Sequence, residues 1–200
     1  MTQILYISSS LSGSAGQSTQ LADRYIAKRQ DRGDDVAIIR RDLHADPVPH
    51  LDGERFAAFT TPAAERSEAQ REVAAFSDQL IDELRRADEI VIALPMYNMG
   101  VPSTFKAWID HVARAGETFR YTANGPQGLL EDKAVTVLAA RGGMYAGTPQ
   151  DSQTQYVKDI LGLMGLTQVD FIYAEGLNMG DEQAQPAIHD AQQQIDRRAA

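Results

Sequence analysis

Pro95-Met96-Tyr97-Asn98-Met99-Gly100-Val101-Pro102 follows the apolar run Glu89-Ile90-Val91-Ile92-Ala93-Leu94 and precedes Ser103-Thr104-Phe105-Lys106-Ala107-Trp108. An unbroken apolar run suits a strand covered on both faces. A rigid turn and a helix start at the carboxyl edge of a parallel sheet then form a ligand loop. Nothing in Pro-Met-Tyr-Asn attacks a substrate or holds a metal. The turn instead offers flat apolar surface and fixed amides, which suit the aromatic ring of a bound cofactor such as a flavin.

Working outward from this stretch, short apolar runs alternate with helical patterns, the signature of a doubly wound sheet. Strands are expected at residues 3–7, 35–40, 89–94, 134–139 and 168–174. Between them, Leu21/Tyr25, Val73/Phe76/Leu80/Leu84, Phe105/Trp108/Ile109/Val112, Tyr156/Ile160/Leu163 and Ile188/Ala191/Ile195 recur at three- and four-residue spacing, giving five amphipathic helices. The expectation is one α/β domain over residues 1–200. It is a flavodoxin-like three-layer sandwich with a five-stranded parallel sheet in the order 2-1-3-4-5 and helices on both faces. Two connections, residues 42–62 and 116–132, exceed the usual length; their aromatics Phe56, Phe59, Phe119 and Tyr121 make them binding loops or packed excursions.

Composition narrows the function classes. With 200 residues, 43% hydrophobic and 24% charged, the chain builds one ordinary globular core. A formal net charge of -9 with scattered basic groups argues against nucleic-acid binding, which needs concentrated Lys and Arg. The absence of cysteine removes disulfides, thiolate catalysis and Cys-based metal sites, so redox chemistry would come from a bound cofactor. The start Met1-Thr2-Gln3-Ile4-Leu5-Tyr6-Ile7 reads as a strand and not as a signal peptide, and no apolar stretch approaches the roughly 20 residues of a membrane span. The cytoplasm is the default location. Among His44, His50, His111 and His189 none shows metal-ligand spacing. His111 reads as a partly exposed helical residue, and Trp108 as a core or dimer-interface one.

Two further loops fall on the same sheet edge. Ser8-Ser9-Ser10-Leu11-Ser12-Gly13-Ser14-Ala15-Gly16-Gln17-Ser18 leads from the first strand into the first helix. Small hydroxyl residues and glycines let amides and O–H groups turn inward at a helix start, which suits a phosphate. The lysine of a nucleoside-triphosphate loop and the Gly-x-Gly-x-x-Gly spacing are both missing, so a monophosphate such as that of FMN fits better. The alternative is a plain loop with Ser14 or Ser18 capping the helix. After the fourth strand, Ala139-Ala140-Arg141-Gly142-Gly143-Met144-Tyr145 lets backbone approach a planar ligand.

These residues resemble the FMN-dependent NADH azoreductases, also described as NADH:quinone oxidoreductases. The resemblance runs through Ser9-Ser10, Gln17-Ser18, Arg41-Asp42-Leu43, Leu51-Asp52-Gly53, Pro95-Met96-Tyr97-Asn98, Val112-Ala113-Arg114-Ala115-Gly116, Thr118-Phe119-Arg120-Tyr121-Thr122, Asn124-Gly125-Pro126, Arg141-Gly142-Gly143 and Ala174-Glu175-Gly176, nearly end to end. It implies a homodimer with one FMN per subunit, held by Ser10, by Gly16-Gln17-Ser18, by Pro95-Met96-Tyr97-Asn98-Met99 and by Ala140-Arg141-Gly142-Gly143. It also implies electron supply from NADH or NADPH and two-electron ping-pong reduction of quinones and azo compounds. No catalytic side chain and no metal is expected, because the flavin carries the chemistry. Phe56, Phe59, Phe119, Tyr121 and Tyr145 are the candidates for a substrate pocket, which the expected dimer would place at its interface. Gly16, Ala140 and Met99 depart from the family pattern, where serine, serine and an aromatic are common; each lost neutral contact costs about 1 kcal/mol of affinity.

Other classes account for less. A flavodoxin-type electron carrier shares the layout but has no use for the 116–132 segment. A phosphoacceptor domain would place an aspartate where Pro95 stands, and a hydrolase would need a nucleophile with its base or a metal site.

Overall fold

The computed structural model describes residues 1–198. Strands β1 (Thr2–Ser8), β2 (Val36–Asp42), β3 (Glu89–Pro95), β6 (Ala134–Ala140) and β7 (Val169–Ala174) form one parallel sheet in the order β2-β1-β3-β6-β7. With the separate hairpin β4 (Phe119–Thr122) and β5 (Gly125–Gly128) set aside, this is the expected 2-1-3-4-5 arrangement. The helices are α1 (Gln17–Asp31), α2 (Gly53–Thr60), α3 (Glu68–Arg86), α4 (Ser103–Val112), α5 (Ser152–Met164) and α6 (Asp181–Arg198).

Strand alternation divides the interior into two cores. Leu5 and Ile7 of β1 face the same side as Ile90, Ile92 and Leu94 of β3, against Leu80, Leu84, Phe105, Trp108 and Leu161 of α3, α4 and α5. Ile4, Tyr6, Val91 and Ala93 point the other way, against Leu21, Tyr25, Ile26, Ala191 and Ile195 of α1 and α6. Successive side chains of a strand leave by opposite faces, so a strand buried on both sides must be apolar throughout. Every residue of β3 is buried. The chain passes from β1 to β2 on one side and then crosses back over β1 to β3 on the other. The carboxyl ends of β1 and β3 therefore flank the crevice where such sheets bind ligands.

Three findings differ from the sequence reading. The 42–62 connection contains a sixth helix, α2, whose start is fixed by Asp52 accepting from the Arg55 N–H at 2.8 Å. Pro47, Pro49 and Gly53 mask this helix, because they are breakers outside it or at its first position. The 116–132 segment is an antiparallel hairpin, with Phe119 opposite Gly128 and Tyr121 opposite Pro126. Pro and Gly in β5 hide that strand.

The third difference is His111, which is fully buried. Its Nε2 lies 3.0 Å from the Pro49 carbonyl, its Nδ1 has no partner, and Phe59 and Phe76 present ring contacts at 5.4 and 5.8 Å. Burial lowers its pKa from the ordinary 6.5; Arg55 and Arg114 add to this, and the Pro49 carbonyl and Asp110 oppose it. Below about pH 6.5 the unfolded chain therefore binds a proton that the folded chain refuses, and stability falls as pH drops from there to the folded value. Above that window this group contributes no pH dependence. Thermal melts across the window should show the loss in the wild type and a flatter profile in His111→Gln; parallel profiles would remove His111 as the cause.

Candidate functional site

At the end of β1 the chain makes a tight turn, Gly13–Ala15, before α1 begins. Ser10 is buried and its Oγ accepts from the Ser12 N–H at 3.2 Å. Gly16 is the N-cap of α1, and no side chain caps the first turn. A Cβ on Gly16 would stand 2.7 Å from the Ser10 Cβ, so the missing side chain is what lets the loop close on the helix start. Ser18 and Thr19 are buried, and their hydroxyl oxygens have no partner. Buried hydroxyls normally find one. An uncapped first turn with positive dipole charge and an unpaired buried hydroxyl have the chemistry that suits an oxyanion. The capping reading for Ser14 or Ser18 is not what the helix does.

The loop after β3 is a tight turn closed by Tyr97 N–H to Gly100 O at 3.1 Å and the reciprocal bond at 2.9 Å. Its two central residues, Asn98 (φ 49°) and Met99 (φ 65°), are both left-handed. Asn tolerates this conformation; Met does so at a cost of about 1 kcal/mol or more. Ser152 at the start of α5 donates its Oγ–H to the Met99 carbonyl and holds the turn in place. Tyr97 is half-buried, and its hydroxyl accepts from the Leu11 N–H at 3.0 Å, tying this loop to the one after β1.

After β6, Gly142 and Gly143 sit where side chains would collide with neighbours. A Cβ on Gly142 would come 2.5 Å from Asn178 Nδ2, and one on Gly143 would come 2.7 Å from the Tyr145 hydroxyl. Met96, Asn98, Met99, Gly142, Gly143, Tyr145 and Asn178 line one cavity of about 440 Å3. The sequence does not single out Asn178. It is brought in from the loop after β7, where its N–H donates to the Gly142 carbonyl at 3.0 Å. A single polar residue in a loop with no periodicity leaves no signal to find.

The remaining sequence-predicted residues divide. Pro95 is the buried last residue of β3, and Ala140, 8% exposed, ends β6 with its carbonyl bonded to the Met96 N–H at 3.0 Å. The Arg141 side chain is wholly buried and turned away from the cavity, paired with Asp151 at 3.0 Å and Glu175 at 3.1 Å and lying over the Tyr173 ring. Burial opposes the Asp151 charge, yet the Thr154 amide and hydroxyl and Arg141 hold its carboxyl below the usual range. Of the five pocket residues only Tyr145 lines the first cavity. Phe56, Phe59, Phe119 and Tyr121 line another, of about 310 Å3, with Leu51, Ala113 and Arg114.

The site residues fit an FMN-type ligand on the chemistry of their donors. The orphaned Ser18 hydroxyl and the uncapped helix start suit its phosphate, and the glycine cradle between the β3 and β6 loops suits a flat ring.

The sequence pattern of a family described by its flavodoxin-like fold matches residues 2–199. An FMN-dependent NADH:quinone oxidoreductase of Alcanivorax borkumensis is 52% identical over 192 residues, covering 96% of this chain and 97% of that protein. The protein of the same name from Cellvibrio japonicus is 47% identical over 197 residues, covering 98% and 99%. Among solved structures, an azoreductase from Bacillus anthracis superposes with a TM-score of 0.90 at 25% identity, covering 100% of this chain and 99% of that one. From its sheet order to its full-length relatives, the chain belongs to the family of proteins with the flavodoxin-like fold.

Proposed function

We propose that this chain is an FMN-dependent NADH:quinone oxidoreductase that also reduces azo compounds. The observation that carries the reading is the unpaired, buried Ser18 hydroxyl at the uncapped start of α1, on the same sheet edge as the glycine-cradled cavity. Relatives of that name cover almost the whole chain, which favours the enzyme over an electron carrier without a substrate of its own. Bound FMN supplies two-electron transfer from NADH to a quinone or azo acceptor.

The protein's own part is binding, orientation and charge. Ser10, Gly16, Gln17 and Ser18 present amides and hydroxyls to the phosphate. Met96, Asn98 and Met99 form one wall of the ring site, held from behind by Ser152, while Tyr97 lines the adjoining cavity beside Leu11 and ties the wall to the β1 loop through its hydroxyl. Gly142 and Gly143 give the opposite edge, where their backbone amides would hold the polar rim of the ring and stabilise negative charge there. Arg141 contributes by holding its loop, since its side chain is already committed to Asp151 and Glu175.

The active form is a homodimer. Phe56 is 58% and Tyr121 77% exposed beside Leu51 at the aromatic cavity, an apolar patch of the kind that marks an interface. A partner seated there would cover Phe56 and Tyr121 and enclose the cavity they line with Phe59 and Phe119.

The test is a visible spectrum after FMN addition and removal of excess, followed by anaerobic NADH and then a benzoquinone. Retained flavin absorption that bleaches with NADH and returns with quinone is the expected result. A protein that keeps no flavin, or whose flavin NADH cannot reduce, would overturn the reading.

A further inference from the structure

Behind the cavity wall lies the most heavily bonded charged group of the site, and binding and catalysis do not explain all of it. The Arg141 guanidinium donates to both Asp151 oxygens at 3.0 and 3.1 Å, to Gln153 Oε1 at 3.2 Å, to Thr154 Oγ1 at 2.9 Å and to Glu175 Oε1 at 3.1 Å. Asp151 alone grips it bidentately, so charge balance does not require a second carboxylate. Glu175 does something Asp151 does not. Its carboxylate accepts from the backbone N–H groups of Tyr145 and Ala146, each at 2.9 Å.

We infer that Glu175 is a positioning residue of the ring-binding site: it clamps the Tyr145 and Ala146 amides and thereby fixes Tyr145 against the Gly142–Gly143 turn. Two consecutive amides converging on one carboxylate are a strong, charge-assisted arrangement. The Tyr145 hydroxyl lies so close to Gly143 that the glycine has no room for a side chain, and Tyr145 lines the cavity itself. The clamp also spans loops. Glu175 follows β7 directly, and in that same loop Gly176 and Asn178 donate to the Gly143 and Gly142 carbonyls at 3.0 Å each. Releasing the carboxylate leaves residues 144–147 with few bonds to hold them in register, so the cavity wall loses its preset shape and a ligand must order it on binding.

The consequence for FMN rests on the functional reading above; the clamp itself does not. Amide hydrogen exchange followed by NMR in the flavin-free protein therefore comes first, and FMN titration by fluorescence quenching second. Glu175→Ala should speed exchange at Tyr145 and Ala146 by about tenfold or more and raise the FMN Kd by about tenfold, the size of one charge-assisted bond. Glu175→Gln keeps one acceptor oxygen and should bring both values back to within about threefold of wild type. Asp151→Asn also takes one negative charge from Arg141 but touches neither amide, and should leave both within about twofold.

Unchanged exchange in Glu175→Ala overturns the inference, as does an Asp151→Asn variant that loosens the two amides as much as Glu175→Ala does. The latter result would make Glu175 a counter-ion of Arg141 and nothing more. Wild-type protein that fails to bind FMN would remove the functional reading while the exchange data still decide the clamp.

Discussion

Ser18→Asp is expected to yield a folded protein that holds no FMN. The Ser18 hydroxyl is buried and unpaired at the second residue of α1, beside first-turn amides that no side chain caps. A carboxylate there takes the place of the phosphate at those amides, and the helix accepts it because anions stabilise helix starts by a few tenths to about 1 kcal/mol. The phosphate then meets a fixed like charge. At about 4 Å and an effective dielectric near 20 each pair of unit charges costs about 4 kcal/mol, or roughly a thousandfold in affinity. Ser18→Ala, which removes one neutral hydrogen bond, should cost only about five- to tenfold. The measurement is flavin fluorescence titration of both variants beside circular dichroism of the apo proteins. Ser18→Asp protein that binds FMN within about tenfold of wild type would remove the phosphate from this helix start.

Gly128→Ala is expected to lower stability by about 3 kcal/mol, the upper end for forcing atoms into packed surroundings. Gly128 ends β5 where the hairpin lies on the carboxyl end of α5. A Cβ there would come 2.6 Å from the Met164 carbonyl carbon and closer still to the Gly165 backbone. No flexible side chain can move aside. Gly165 is itself left-handed at φ 104°, and the Leu130 N–H donates to the Met164 carbonyl at 3.0 Å, so the contact is backbone on backbone along its length. For a chain of this size the melting temperature should drop by about 10 °C. A drop below about 2 °C would mean that hairpin and helix part without cost. Phe119 and Tyr121 ride on this hairpin, so under the homodimer proposed above the variant should also weaken self-association.

Sheet, strand order and the three converging loops are legible in the residues because burial on two faces forces apolar runs, and each run is separated by a 3.6-residue pattern. At Ser18 the residues leave two uses open, helix capping or a phosphate, and only the uncapped helix start and the unpaired hydroxyl set capping aside. What stays hidden depends on contacts between residues far apart in the chain. Asn178 enters the cavity only because the β7 loop folds over Gly142. The side chain of Arg141 looks like a ligand group from its place beside two glycines, and only Asp151 and Glu175 show that it is spent. His111 reads as a half-exposed helical residue until α2 and Phe76 close over it, since helical spacing says nothing of what a long connection will cover.

The chain has one tryptophan, and it is Trp108, 1% exposed on the helix that leaves the β3 loop. Its surroundings are shut off from solvent, so dissolved quenchers should have little access to it. Indole emission falls in the wavelength range where oxidised flavin absorbs. The protein therefore carries a built-in optical reporter: the excited-state lifetime of Trp108 would shorten by energy transfer when the site fills and lengthen as the flavin bleaches, giving occupancy and turnover in real time without a label near the chemistry.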